Sequence, residues 1–108
     1  MAHYSCMISL VIVVEVNPEK IELFREYLFE EAADAVSDEP GCRDFFVSQS
    51  KTEPHVFTLV EFYDDEEALE EHRLTPHFLL FQKRAKEHDL IRNKREVVTG
   101  DVIFPIDD

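Results

Sequence analysis

The densest grouping of proton-handling side chains in this chain is Glu61-Phe62-Tyr63, followed by His72 and then by Thr75-Pro76-His77-Phe78. Imidazole titrates near neutral pH, so a histidine in a pocket can take a proton from a weakly acidic carbon or phenol while a nearby carboxylate fixes its tautomer. A carboxylate at the end of an inner strand and two imidazoles at a helix junction would form an acid–base site. The bland alternative is that a histidine beside a helix break is a partly exposed cap residue. Glu61 shares a register with Phe57 and Leu59, so it faces either a pocket or a partner sheet, where it would serve as a rim charge or salt bridge. Tyr63 and Phe62 are also suited to plain packing.

Other chemistries find less support. His72 and His77 are separated by a proline turn and lack the i,i+4 spacing of a helix-borne zinc pair, so no metal is expected. His3, His55 and His88 fall in a terminal segment, a turn and a helix end. No GxGxxG, Walker A, GxSxG or HExxH motif occurs, which removes nucleotide, hydrolase-triad and zincin chemistry. The acidic run Asp64 to Glu71 lacks the alternating ligands and central glycine of a calcium loop and reads as a solvated helix face.

Elements that could position these residues are legible. Ile8 to Val16, ISLVIVVEV, is a β-branched run apolar in both registers, as for a strand buried on two sides. Asn17-Pro18 supplies an N-cap and first helical residue for a helix over about 18–37, with Ile21, Phe24, Leu28 and Ala35 at helical spacing before Pro40-Gly41. Cys42–Ser50 and Val56–Tyr63 form an antiparallel pair. A short helix opens at Asp64-Asp65-Glu66-Glu67 and runs to about Arg73, and Thr75-Pro76 caps another reaching about His88. Glu96 to Phe104 is the last strand, with Gly100 as a bulge. This β-α-β-β-α-β order predicts a ferredoxin-like α+β fold, an antiparallel sheet with helices on one face. The second apolar face of the first strand then needs cover, and one self-complementary patch used twice predicts a symmetric homodimer packed sheet to sheet.

Composition agrees with one globular domain: 108 residues, 44% hydrophobic, nine Phe and two Gly. Residues 1–6 read as an N-terminal extension, 7–104 as the domain and 105–108 as an acidic tail. The net charge of −13 repels phosphate backbones and anionic lipid, so neither nucleic acid nor membrane is expected as a partner. No apolar run is long enough for a membrane span and Met1–Cys6 lacks a basic signal-peptide start, which predicts a cytoplasmic protein. Cys6 and Cys42 are isolated and read as reduced thiols, with Cys42 partly buried.

The strand-one run, Asn17-Pro18-Glu19-Lys20, the Glu39-Pro40-Gly41-Cys42 turn, Val60-Glu61-Phe62-Tyr63 and the H-x-x-T-P-H-F segment from His72 to Phe78 resemble the antibiotic biosynthesis monooxygenase family over residues 7–104. The resemblance implies a dimeric α+β barrel. It further implies oxygenation of quinols or other small phenolic or enolisable substrates without a cofactor, the deprotonated substrate itself reducing O2. On that reading the base is His72 or His77, Glu61 orients or relays, and Phe45, Phe62, Tyr63, Phe78 and Phe81 wall the pocket. A haem-degrading branch carries a Trp and an iron-ligating His where Phe62 and Gln82 stand, and this chain has no Trp, so no haem is expected. A third branch isomerises a phosphorylated hydroxy-diketone of the autoinducer-2 type, with similarity through Phe45, Val47, Gln49, Glu61, Tyr63, His72 and Thr75-Pro76-His77. Its phosphate would need Arg43, Arg73 or Lys83. A non-catalytic ligand-binding or stress-response dimer is the remaining class.

Overall fold

The computed structural model describes residues 7–105. Its elements run β1 (Ile8–Val16), α1 (Ile21–Asp38), β2 (Cys42–Gln49), β3 (Val56–Tyr63), α2 (Glu66–His72), α3 (Pro76–Glu87) and β4 (Ile91–Asp101). The strands form one antiparallel sheet in the order β2-β3-β1-β4. The architecture is the expected ferredoxin-like α+β fold, its second helical region split into α2 and α3. Residues 1–6, with Cys6, and the last three residues of the acidic tail lie outside the described residues.

β1 is central because both of its faces are apolar. Its alternation sends Ile8, Leu10, Val14 and Val16 into the core beneath the helices, and leaves Val11 and Val13 half-buried on the opposite face. On α1, Phe24, Leu28, Glu31, Ala32 and Ala35 make the buried stripe. The Asp65 carboxylate caps α2 by accepting from the Ala68 N–H at 2.8 Å. The Thr75 hydroxyl accepts from the Phe78 N–H at 3.3 Å and Pro76 occupies the first turn of α3, as the sequence predicts.

Three local expectations are corrected. Asn17 does not cap α1, which starts at Ile21. Its Oδ1 accepts from the Glu19 N–H, while its Nδ2 donates to the Asp89 carbonyl and its N–H to that of Leu90, so the buried side chain ties the end of β1 to the α3–β4 turn. β4 begins at Ile91 rather than Glu96. Asp89 adopts the left-handed conformation (φ 53°) and reverses the chain directly after α3, so pairing with β1 starts early and the strand ends at Asp101, followed by one more bond from the Val102 N–H to the Met7 carbonyl. Gly100 is not a bulge: it pairs in register with Ser9, and the register shifts fall at Val13/Val14 and Glu15/Val16.

The α1–β2 turn is close to α2 at Gly41, whose carbonyl accepts from the Asp64 N–H at 2.8 Å. A Cβ at Gly41 would lie 2.5 Å from the Ala68 Cβ. Gly41→Ala is therefore expected to cost about 1–3 kcal/mol in urea unfolding. Adding Ala68→Gly should recover part of that loss, and no recovery would count against the steric origin.

Candidate functional site

Strand alternation decides which side chains can meet. Along β3, Phe57, Leu59, Glu61 and Tyr63 point to the helix side, and Thr58, Val60 and Phe62 to the other, their cross-strand partners following suit. Two apolar clusters result. One gathers Val14, Val16, Phe24, Leu28, Phe57, Leu59, Phe81, Ala85 and Leu90; the other gathers Ile8, Leu10, Ala35, Cys42, Tyr63 and Leu69. Between sheet and helices lies a cavity of about 150 Å³, walled by Leu10, Ile12, Phe45, Leu59, Phe78 and Phe81. Its polar lining is Glu31, Glu61 and His72, with the exposed Arg73, Gln82 and Lys94 along its edge.

The polar groups form one chain of contacts. His72 Nδ1 lies 2.8 Å from Glu39 Oε2, and the same oxygen is 2.5 Å from His77 Nε2. On the other side of the ring, His72 Nε2 is 3.3 Å from Glu31 Oε1 and 3.9 Å from Glu61 Oε1. The Tyr63 hydroxyl donates to Glu61 Oε1 at 2.6 Å. Aromatic rings fix the imidazole in place, with Phe78 edge-on at 5.1 Å and Tyr63 at 5.2 Å between ring centroids. Glu31, Glu61 and His72 are all 5% exposed or less.

Burial in these surroundings changes proton affinities. Desolvation pushes the Glu61 carboxyl up to about 7, against the Tyr63 hydrogen bond and the His72 charge, which pull it down. Burial disfavours charge on His72, yet hydrogen bonds to Glu31 and Glu39 more than offset this and hold the ring above its ordinary value. Burial and the neighbouring carboxylates push the Cys42 thiol up to about 12, as suits an inert core thiol.

The expected site residues divide accordingly. Glu61, His72, Phe45, Phe78 and Phe81 meet at the cavity. Phe62 does not: strand parity puts it on the far face of the sheet. Tyr63 is a fully buried core residue that braces Glu61 rather than a wall. His77 stands behind His72, on Glu39, outside the cavity lining. Arg43 is at the surface, paired with Asp64 at 2.9 Å, because its position on β2 points away from the core. Sequence reading missed Glu31 and Glu39. Glu31 had a signal, a carboxylate three residues after Leu28 and four before Ala35, inside the apolar stripe of α1. Glu39 had none, since only the fold brings the end of α1 to the α2–α3 junction.

This geometry can be set beside known proteins. The family model described as antibiotic biosynthesis monooxygenase matches residues 7–84. The chain belongs to that family. Among solved structures, a candidate antibiotic biosynthesis monooxygenase from Bacteroides thetaiotaomicron is 25% identical with a TM-score of 0.85, covering 94% of each chain. A candidate family member from Caulobacter crescentus is 27% identical over 93% of this chain and 92% of its own, with a TM-score of 0.82. A Pseudomonas aeruginosa protein is 26% identical over 94% and 98%, with a TM-score of 0.83. No curated protein matches. At the level of the family these likenesses support monooxygenase-type function. Among the described residues no helix is long and apolar enough to cross a membrane.

The Tyr63 hydroxyl is the hydrogen-bond donor to Glu61 in a site that water scarcely reaches. Tyr63→Phe should lower unfolding free energy by about 1–3 kcal/mol in urea titrations, the cost of stranding a buried acceptor. A midpoint unchanged from the parent protein would show that the bond contributes nothing.

Proposed function

We propose that this protein oxygenates a small quinol or other single-ring phenolic or enolisable substrate, with Glu61 as the group that accepts the substrate proton. The observation that carries this reading is a buried carboxylate at the cavity wall, beside Phe45, Phe78 and Phe81 and braced by Tyr63. Each ring nitrogen of His72 already faces a carboxylate, Nδ1 toward Glu39 and Nε2 toward Glu31, so neither nitrogen is free to meet substrate. Glu61 Oε1 holds the Tyr63 hydroxyl, whereas Oε2 has no hydrogen-bond partner among the described residues. His72 is thus a positioning residue that keeps the carboxylates in place.

Cavity size narrows the substrate. A volume of about 150 Å³ accommodates one benzene-sized ring. For a CH2 group beside a carbonyl or in the keto form of a phenol, Glu61 removes a proton and the resulting carbanion passes one electron to O2. The radical pair joins through a C–O bond, and the peroxide takes a proton. Loss of water then leaves a new carbonyl. One oxygen atom ends in product and one in water, and all four electrons come from the substrate. Phe45, Phe78 and Phe81 exclude water that would otherwise protonate the carbanion.

Arg73 and Lys94 at the cavity edge favour a second reading, isomerisation of a phosphorylated hydroxy-diketone, because both can meet an anionic group. Oxygen uptake with single-ring quinols, run beside an isomerisation assay, separates the readings. Glu61→Gln should lower oxygen uptake by about 10²–10⁴-fold, the usual weight of a positioned base. Full turnover by that variant would remove Glu61 from the reaction.

We also infer a homodimer. A row of apolar side chains, Phe46, Val60, Val11 and Val98, crosses all four strands on the face away from the helices, and Phe46 and Val98 are 59% and 47% exposed. Such a continuous row suits the same row of a second copy. Sedimentation should give a dimer at micromolar concentration and a folded monomer for Val11→Asp with Val60→Asp. A monomeric parent protein would exclude this assembly.

A further inference from the structure

We infer that Glu39, His72 and His77 form a binding site for a divalent transition-metal ion, lying behind the cavity on the outer side of the His72 ring. One ligand atom from each residue lies within 4.8 Å of the others. Glu39 comes from the C-cap of α1, His72 from the last turn of α2 and His77 from the first turn of α3, so three helix ends converge on one point. Two imidazoles and one carboxylate are a donor set for Zn²⁺, Fe²⁺ or Co²⁺, and too rich in nitrogen for Ca²⁺ or Mg²⁺.

A second observation supports the site independently. Metal-ligating histidines almost always give their other ring N–H to a carboxylate, which fixes the tautomer and aims the free nitrogen at the ion. His72 has this support: with Nδ1 in the cluster, its Nε2 lies 3.3 Å from the buried Glu31 Oε1. Three carboxylates, Glu31, Glu39 and Glu61, surround the His72 ring within 4 Å, a concentration of negative charge that a cation would offset.

Ligand spacing is close to what an ion needs. Donors 2.0–2.2 Å from a tetrahedral ion stand roughly 3.4 Å from one another. The Glu39 carboxylate, 2.8 Å from His72 Nδ1 and 2.5 Å from His77 Nε2, would have to draw back by less than about 1 Å. Access is available. Glu39 and His77 share an open groove with Asp34, Asp38, Thr75, Pro76 and Leu80, whose acidic lip attracts cations. Three protein ligands leave a position for water on that side. The ion would sit away from the substrate cavity and hold His72 in place, so the inference stands whichever substrate the cavity takes.

The test uses the tag-free full chain, stripped with a chelator and titrated with Co²⁺ alone. The expected result is one equivalent bound, with the visible ligand-field absorption of a four- or five-coordinate ion, lost on adding Zn²⁺. His77→Ala and Glu39→Gln should each abolish this spectrum, and Glu31→Gln should weaken binding about 10–100-fold through His72. If Glu39→Gln does not fold, His77→Ala decides, because His77 is partly exposed and its ion pair is with Glu39. Absence of the spectrum in the parent protein, or its persistence with unchanged affinity in His77→Ala, would overturn the site. Neither result bears on oxygen uptake, so failure here is distinguishable from failure of the proposed reaction.

Discussion

The need to hold two buried carboxylates and a half-buried third around one imidazole governs this structure. A lone ionised carboxylate in a core costs several kcal/mol, which a small domain cannot absorb, so each must find a donor or keep its proton. His72 faces Glu31, Glu39 and Glu61 on two sides of a single ring, and Tyr63 supplies the remaining donor to Glu61. These contacts tie together α1, α2 and β3 around the start of α3.

The same constraint explains the divided core. Apolar packing gathers around Phe24 and Phe57 at one end of the sheet and around Tyr63 and Leu69 at the other. Between the two clusters, the contacts of His72 with Glu31 and Glu61 interrupt the apolar packing. The cavity lies at this junction, lined by residues of both clusters together with Glu31, Glu61 and His72. A dry wall of phenylalanines beside a carboxylate of raised proton affinity is suited to removing a proton from a weak acid and to shielding the anion produced.

Charge on the outside works differently. At −13 the chain as a whole repels anions, yet two of its cations, Arg73 and Lys94, stand at the cavity edge. Most other arginines are held in surface ion pairs, such as Arg43 with Asp64 and Arg84 with Glu30. For the proposed reaction, this distribution suits a neutral or singly charged substrate that meets local cations only at the mouth.

Much was determined by sequence alone, for a physical reason. Element order, the cap at Thr75, the two-sided burial of β1 and the pairing of β2 with β3 follow from local backbone preference and hydrophobic period, which a reader of the chain can count. Glu61, His72 and Phe78 stood out because reactive and aromatic types are clustered in one stretch, Phe45 and Phe81 came with the family resemblance, and the fold brings the five to one cavity. Tertiary structure decided the rest. Whether Phe62 or Glu61 faces the helices turns on one residue of strand register, and Asn17 was drawn from capping to a turn 72 residues away in the chain. Glu39 joins His72 and His77 only because three helix ends converge, and side-chain chemistry that depends on such convergence leaves no periodic trace, since nothing in the spacing along a chain encodes a distance across it.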